Sequence, residues 1–240
     1  MADYAPVYGR PRTVTYAAGA AITGGQLLAF TAADTVSPAT LGAAAVAGVA
    51  GHDAASGAPV TVHMGAGVVH ESAAAAALPA PAAPAPTTAG TGGTVLAGTY
   101  NAEVTYVNAS GESLPSAAGP VTTTGTTSTL TVPSPPAQAG ATGWYAYVTQ
   151  AGGAAGTATR QQAAGSPTAI GTGLTLTAPP TSGGAALPAS NSTGISPGEM
   201  LTAGASGTVA GGAAAGADIG VAVRAGPDGS GNVRWKSTRG

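Results

Sequence analysis

The three histidines of the chain are its main candidates for metal binding or general-base chemistry. His63 and His70 flank residues 65–67, and a hairpin that turns at those residues would bring the two imidazoles near each other. His52 and His70 are each followed by an acidic residue. A zinc site needs three or four such ligands to converge on one point. One hairpin supplies only part of that set, so the spacing favours hairpin or solvent-exposed histidines, and we expect no metal site.

Two glutamates are the candidates for a paired general acid and base. Glu103 and Glu112 flank one predicted hairpin, and the alternation of apolar and polar residues places both on its outward face. We therefore expect them to lie on a solvated sheet surface rather than to form a catalytic pair.

Common catalytic motifs are missing from the sequence. Lys236 is the only lysine, so no phosphate-binding loop ends in Gly-Lys-Ser/Thr. No Gly-x-Ser-x-Gly motif lies between a predicted strand and a predicted helix, which excludes a nucleophile elbow. We predict that the protein is not an enzyme and has no catalytic residue and no cofactor.

The charge of the chain restricts its partners. Seven basic residues stand against nine acidic ones in 240 residues. No face can carry enough Lys and Arg to neutralise a run of phosphates, so we expect neither nucleic acid nor a membrane surface as a partner. The chain has no Cys, which excludes disulfides and thiolate metal sites. Residues 1–12 have no apolar stretch after a basic one, so we predict no secretory signal.

The residues that usually fill a core are scarce. Leu, Ile, Val and Phe together number 35, whereas Gly numbers 39 and Pro 19. No segment has a convincing apolar stripe of helical period. This composition predicts an all-β protein made of small domains with Pro-rich joints rather than one domain with a thick core.

A repeat with widely separated copies organises the chain. Residues 22–28 (ITGGQLL) match residues 195–201 (ISPGEML) at an offset of 173. Further matches follow in the same order: 35–36 with 208–209, 48–50 with 220–222, and 60–62 with 233–235. These landmarks predict that one small β unit occurs twice.

The composition changes between the two copies. Residues 73–90 are rich in Ala and Pro, and residues 180–193 are rich in Pro, Gly and Ser, so both segments are predicted linkers. Residues 91–179 between them contain strand signals with large aromatic residues, which predicts an inserted β-sandwich. The remaining parts are a discontinuous β domain, residues 14–72 and 194–240, and an extended N-terminal arm, residues 1–13.

The repeated segments also carry a resemblance to a known family. Residues 14–28 (VTYAAGAAITGGQLL), 46–50 (VAGVA), 57–62 (GAPVTV) and 67–69 (GVV) together resemble the capsid cement, or head-decoration, proteins of tailed bacteriophages. Residues 195–234 resemble the closing segment of that family. The insert, especially residues 104–116 (VTYVNASGESLPS), is similar to the Ig-like or fibronectin-like domains of phage structural proteins. The resemblance implies a small β-barrel or β-tulip domain, internally duplicated, with an inserted Ig-like β-sandwich.

The same resemblance implies a virion structural protein on the outer surface of the capsid. Homotrimers of the family bind the major capsid protein and stabilise its lattice, and an outward Ig-like insert could bind a host-surface glycan. Two alternatives remain open at this point: another virion component, such as a head fibre or tail protein, and a bacterial surface adhesin.

The N-terminal arm is the predicted capsid contact. Its two prolines block a helix, so the arm suits addition as a strand to another chain. The candidate contact residues are Tyr4, Tyr8, Arg10 and Arg12.

Overall fold

A computed structural model describes residues 12–40, 42–43, 45–212, 218–227 and 231–238 of the chain. The described residues form an all-β protein without an α-helix, and one short 3-10 turn spans Ala205–Gly207. The chain divides into two compact units: unit 1 contains residues 1–77 and 194–240, and unit 2 contains residues 78–193.

Seventeen strands are described. In chain order they are β1 (Arg12–Ala18), β2 (Leu27–Ala32), β3 (Thr35–Pro38), β4 (Val46–Ala50), β5 (Pro59–Met64), β6 (Val69–Ala73), β7 (Thr87–Ala89), β8 (Gly98–Val107), β9 (Gly119–Thr123), β10 (Thr129–Val132), β11 (Gly143–Val148), β12 (Thr159–Arg160), β13 (Leu174–Leu176), β14 (Met200–Ala203), β15 (Val209–Gly211), β16 (Gly220–Ala222) and β17 (Asn232–Ser237).

The first five strands of unit 1 form a closed barrel, called here the first barrel, in the order β1-β3-β2-β4-β5. Alternate residues of its strands point inward, so a few small and branched side chains fill it. Its core contains Ala18, Ile22, Leu28, Val36, Ala47, Ala50, Ala54, Val60 and Val62.

The other strands of unit 1 form a five-stranded sheet in the order β15-β14-β16-β17-β6. A parallel bridge between Ala74, the residue after β6, and Val209 of β15 links the two sides of this sheet at one point. We call this sheet the second barrel. Its core includes Ile195, Leu201, Val209, Ile219, Ala222, Val233 and Trp235.

The two barrels have the same strand pairing. Leu27 pairs with Val49 in the first barrel, and Met200 pairs with Val221 at the matching positions of the second. Each turn before these strands is closed by the next glutamine or glutamate: Thr23 donates its N–H to Gln26, and Ser196 donates its N–H to Glu199, both at 2.7 Å. The same register therefore occurs at positions that the sequence repeat aligns.

The hairpin predicted around residues 65–67 is wrong. Strand β5 pairs with β1 and β4 inside the first barrel, whereas β6 pairs with β17 inside the second. Each barrel therefore has its own opening strand. Strand β1 pairs with β5 in the first barrel, and β6 pairs with β17 in the same way in the second. The chain passes from one barrel to the other at residues 65–68.

Unit 2 is inserted between β6 and β14, the place that the β1–β2 connection occupies in the first barrel. The predicted linkers contribute to folded structure at this junction. Ala73 lies in β6, Thr87–Ala89 form β7, and the side chain of Leu78 is buried. Leu78 donates its N–H to the hydroxyl of Thr193 at 2.7 Å, which joins the two ends of unit 2.

Unit 2 contains two sheets, ordered β12-β11-β8-β9 and β13-β10-β7. Both contribute to one core, in which the indole of Trp144 is fully buried and donates to the carbonyls of Ala169 and Thr172. Large aromatic side chains give this small unit the buried area that its many alanines cannot.

Candidate functional site

The N-terminal arm is the first predicted site. Tyr4, Tyr8 and Arg10 lie outside the described residues. Arg12 is exposed and begins β1, where it pairs with Met64. One edge of β1 pairs with β5 along most of its length. The other edge pairs with β3 only at the last two residues of β1, so along residues 12–16 this edge has no partner among the described strands. Such an edge offers backbone N–H and C=O groups to an added strand.

His52 has a local structural role. One ring nitrogen, Nδ1, lies 2.9 Å from the carbonyl oxygen of Asp53, and the other, Nε2, accepts the N–H of Thr61 at 3.2 Å. The carboxylate of Asp53 in turn accepts the N–H of Gly24 at 2.8 Å. These contacts fasten the β4–β5 loop to the turn before β2.

His63 and His70 come together although they share no hairpin. Both line a cavity of about 210 Å³ between the two barrels, which Trp235 and Ile219 also line. The imidazole of His70 is buried and lies on the indole of Trp235, with ring centroids 4.8 Å apart. Burial, together with the nearby His63, lowers the pKa of His70 to about 4, so this side chain is neutral at physiological pH. Its ring packs against Trp235 at the cavity between the two barrels.

A metal site is not assembled from these histidines. Within the described ranges, no group of three or more His, Cys, Asp or Glu side chains is arranged to hold a metal ion.

The expectation that Glu103 and Glu112 lie on a solvated surface is wrong. Glu103 is buried, and its carboxylate accepts the N–H of Gly156 at 2.8 Å. Glu112 is half-buried and accepts hydrogen bonds from the hydroxyls of Thr105 and Tyr147. The two carboxylates hold separate parts of unit 2 together.

The hydroxyl of Tyr147 is part of the same polar layer. Burial, and the hydrogen bond to Glu112, raise the pKa of Tyr147 well above its ordinary value. On the same strand, the ring of Tyr145 lies under the guanidinium of Arg160, 4.6 Å from the ring centroid. The segment that follows β11 covers this face of the sheet through Ala158 and Leu187.

The described part of unit 1 also exposes four large apolar side chains, which the sequence does not predict. Val14 and Phe30 are 36% and 39% exposed at one end of the first barrel. Met200 and Val223 are 38% and 50% exposed on the second barrel. The repeat draws attention to Met200, because the offset of 173 aligns it with Leu27, whose side chain is buried.

No protein-family model, no curated protein and no solved structure matches the chain. Among the described residues there is no helix long and apolar enough to cross a bilayer.

Proposed function

We propose that this protein is a capsid decoration protein of a tailed bacteriophage. It binds the outer surface of the head, as a homotrimer, and stabilises the lattice of the major capsid protein. Three of the N-terminal segments that resemble the cement family, residues 14–28, 46–50 and 57–62, contribute to β1, β2, β4 and β5 of the first barrel, and the fourth, residues 67–69, leads into β6 of the second. The closing segment, residues 195–234, contributes β14 to β17 of the second barrel.

The observation that carries this proposal is that unit 1 exposes surfaces suited to protein binding, whereas the candidate catalytic side chains make structural contacts. Unit 1 is a pair of barrels with exposed apolar side chains and an open edge on β1, which are features of a protein that binds other proteins. The polar residues with catalytic potential are engaged in structural contacts instead. His52 fastens a loop, and Glu103 and Glu112 fasten segments of unit 2.

Attachment to the capsid uses the N-terminal arm in this proposal. Tyr4, Tyr8 and Arg10 precede the open edge of β1, and Arg12 begins that strand. A strand of the major capsid protein that pairs with this edge gives each subunit a main-chain contact. In a homotrimer, three such contacts act together, so modest affinity per subunit yields firm attachment.

The finer architecture belongs to the same proposal. The first barrel with its duplicate forms the β-tulip domain of the family, and unit 2 is an Ig-like sandwich. The four-strand and three-strand sheets of unit 2, packed on one core, support the second part. Displayed on the virion, unit 2 is available to bind a host-surface glycan.

Undecorated heads provide the test. Purified protein is added to heads that lack decoration, and bound protein and the temperature of head disruption are measured. The proposal predicts saturable binding to the outside of the heads and a higher disruption temperature. A variant without residues 1–11 is the matched control, because it keeps every described strand and is expected to lose binding. Heads that neither bind the full chain nor gain heat resistance contradict the proposal.

A further inference from the structure

The contact between the two barrels of unit 1 is asymmetric. The outer face of β2 and β4 in the first barrel, called here the flank face, presents Leu27, Ala29 and Val49, all of which are buried. These three side chains belong to the same cluster as Ala203 and Trp235 of the second barrel. The flank face of the first barrel is therefore covered by the second barrel.

One end of the second barrel makes this contact, and we call it the end face. Gly207 donates its N–H to the carbonyl of Ala39, and Gly42 donates its N–H to the carbonyl of Ala203, both at 2.8 Å. Gln26 beside the flank face donates its amide to the carbonyl of Ser206 at 3.1 Å. The end face of the second barrel consists of His70, Ala203, Gly207 and Ser237, all of which are buried.

Because the barrels repeat the same strands, each face has a counterpart. The counterparts of Leu27, Ala29 and Val49 on the second barrel are Met200, Thr202 and Val221. None of these is buried, and Val223, two residues beyond Val221 on the same face, is 50% exposed. The second barrel thus has an uncovered flank face.

The first barrel has the complementary surface. The counterparts of His70, Ala203, Gly207 and Ser237 on the first barrel are Val14, Phe30, Asp34 and Met64. None of these is buried either. The four large apolar side chains that are exposed among the described residues of unit 1 lie on these two uncovered faces: Val14 and Phe30 on the end face, and Met200 and Val223 on the flank face.

We infer that the protein self-associates head to tail, and that the end face of the first barrel in one molecule docks on the flank face of the second barrel in the next. The contact inside one chain is then repeated between chains. A heterologous contact of this kind closes into a ring or continues as an open chain of molecules. The occupant of the uncovered flank face is a second copy of this chain, because the described surface that covers the flank face of the first barrel is an end face of the same repeat.

Two positions of the uncovered faces are less favourable than their counterparts. Asp34 carries a charged side chain where Gly207 has none, and a methyl group on Gly207 would already collide with the carbonyl oxygen of Leu27. The other position is Glu199. Gln26 donates an amide N–H to a carbonyl across the barrel contact, but its counterpart Glu199 has a carboxylate that can only accept. The contact between chains therefore lacks one hydrogen bond, which keeps it weaker than the contact within a chain. The substitution Glu199→Gln keeps the acceptor for the N–H of Ser196 and restores the donor.

Sedimentation velocity of the full chain tests this inference. The wild-type chain is expected to form species larger than the 22.2 kDa monomer. Met200→Asp destroys the flank face and Phe30→Asp destroys the end face, so each is expected to weaken association by at least about 30-fold. Leu96→Asp is the matched control, because Leu96 is 52% exposed in unit 2, and it is expected to associate like wild type.

A mixture of the two interface variants gives the decisive result. Met200→Asp retains an intact end face and Phe30→Asp retains an intact flank face, so the mixture is expected to form one-to-one dimers although each variant alone is monomeric. Circular dichroism and thermal melting confirm that each variant is folded. If either variant does not fold, Glu199→Gln provides the second measurement, with association tightened roughly 3- to 10-fold by one added hydrogen bond.

Three results overturn the inference: a wild-type chain that is monomeric at all concentrations, interface variants that associate like wild type, or a mixture that stays monomeric. The inference shares with the proposed function only the expectation of self-association. These measurements use no capsids, so their failure and the failure of head binding are distinguished.

Discussion

Leu27 and Met200 occupy the same position in two copies of one barrel but have opposite environments. Leu27 is fully buried under the second barrel, whereas Met200 is 38% exposed. Both pair with a valine at the same register of the neighbouring strand, Val49 for Leu27 and Val221 for Met200. Since the backbone positions agree, the difference comes from what covers each barrel. A chain that covers one copy of a face and leaves the other uncovered has a surface available for another molecule.

The repeated glycines Gly48 and Gly220 allow neighbouring strands to approach closely. A methyl group on Gly48 would collide with the carbonyl oxygen of His63, and one on Gly220 would collide with the carbonyl oxygen of Lys236. We expect Gly48→Ala and Gly220→Ala each to lower the free energy of unfolding of unit 1 by about 1–3 kcal/mol, because the backbone must move apart. Chemical denaturation measures this change. Gly183→Ala is the control, because no atom lies within 4 Å of its added methyl, and an equal loss in all three variants refutes the explanation.

The stability of unit 1 should decrease in mild acid because of His70. Its pKa is about 4 in the folded protein and near 6.5 in the unfolded chain, so the unfolded chain binds the additional proton between these values. Stability is therefore complete above pH 6.5 and falls as the pH is lowered toward 4, by roughly 3 kcal/mol in total.

The substitution His70→Val isolates this effect, because Val14 occupies the matching position of the first barrel. We expect the variant to lose most of the pH dependence between pH 4 and 6.5, whereas His52→Gln keeps it. Denaturation midpoints measured across this range check the result. Equal pH dependence in wild type and His70→Val would show that another group is responsible.

The hydrogen bond between Tyr147 and Glu112 should stabilise unit 2. The distance is 2.6 Å and the acceptor is a carboxylate oxygen, so Tyr147→Phe is expected to cost about 1.5–3 kcal/mol in the free energy of unfolding. Tyr145→Phe on the same strand keeps the ring under Arg160 and is expected to change little. Comparable losses for the two variants in thermal unfolding argue against a specific role for the Tyr147 hydroxyl.

Removal of unit 2 should leave the barrels intact. Ala77 and Gly194, which flank the insert, lie side by side, with 3.9 Å between the Cβ of Ala77 and the position that a Cβ on Gly194 would take. A chain in which Ala77 is joined to Gly194 through a short Gly-Ser link is therefore expected to keep the β-sheet spectrum and the unfolding transition of unit 1. A shortened chain without a cooperative transition contradicts the independence of the two units.

Much of unit 1 could be predicted from the sequence, because its repeat preserves the residues at the turns. The motif at residues 22–28 and its copy at 195–201 keep the glycine before the strand and the side chain that closes the turn. The sequence does not show that β6 repeats β1, because these two strands have diverged. Val14 in β1 is replaced by His70 in β6, and the segment around His70 looks like the second half of a hairpin when the partner β17 is distant in sequence.

The polar residues of unit 2 could not be predicted for a different reason. Alternation along β8 correctly separates two faces, but it does not tell which later segment covers the polar one. Residues after β11 pack over that face and bury Glu103. The exposure of Met200 and Phe30 was also beyond the sequence, because exposure depends on how one barrel covers the other.

The location of the protein on assembled heads tests the central claim most directly. Cryo-electron microscopy of heads incubated with the full chain, compared with untreated heads, gives a difference density. The proposed function predicts added density on the outer surface of the capsid lattice, large enough for the paired barrels of three subunits and in contact with the major capsid protein. Intact heads that have been incubated with an excess of the protein and show no added outer density, or show added density only at the tail, would contradict the proposed function.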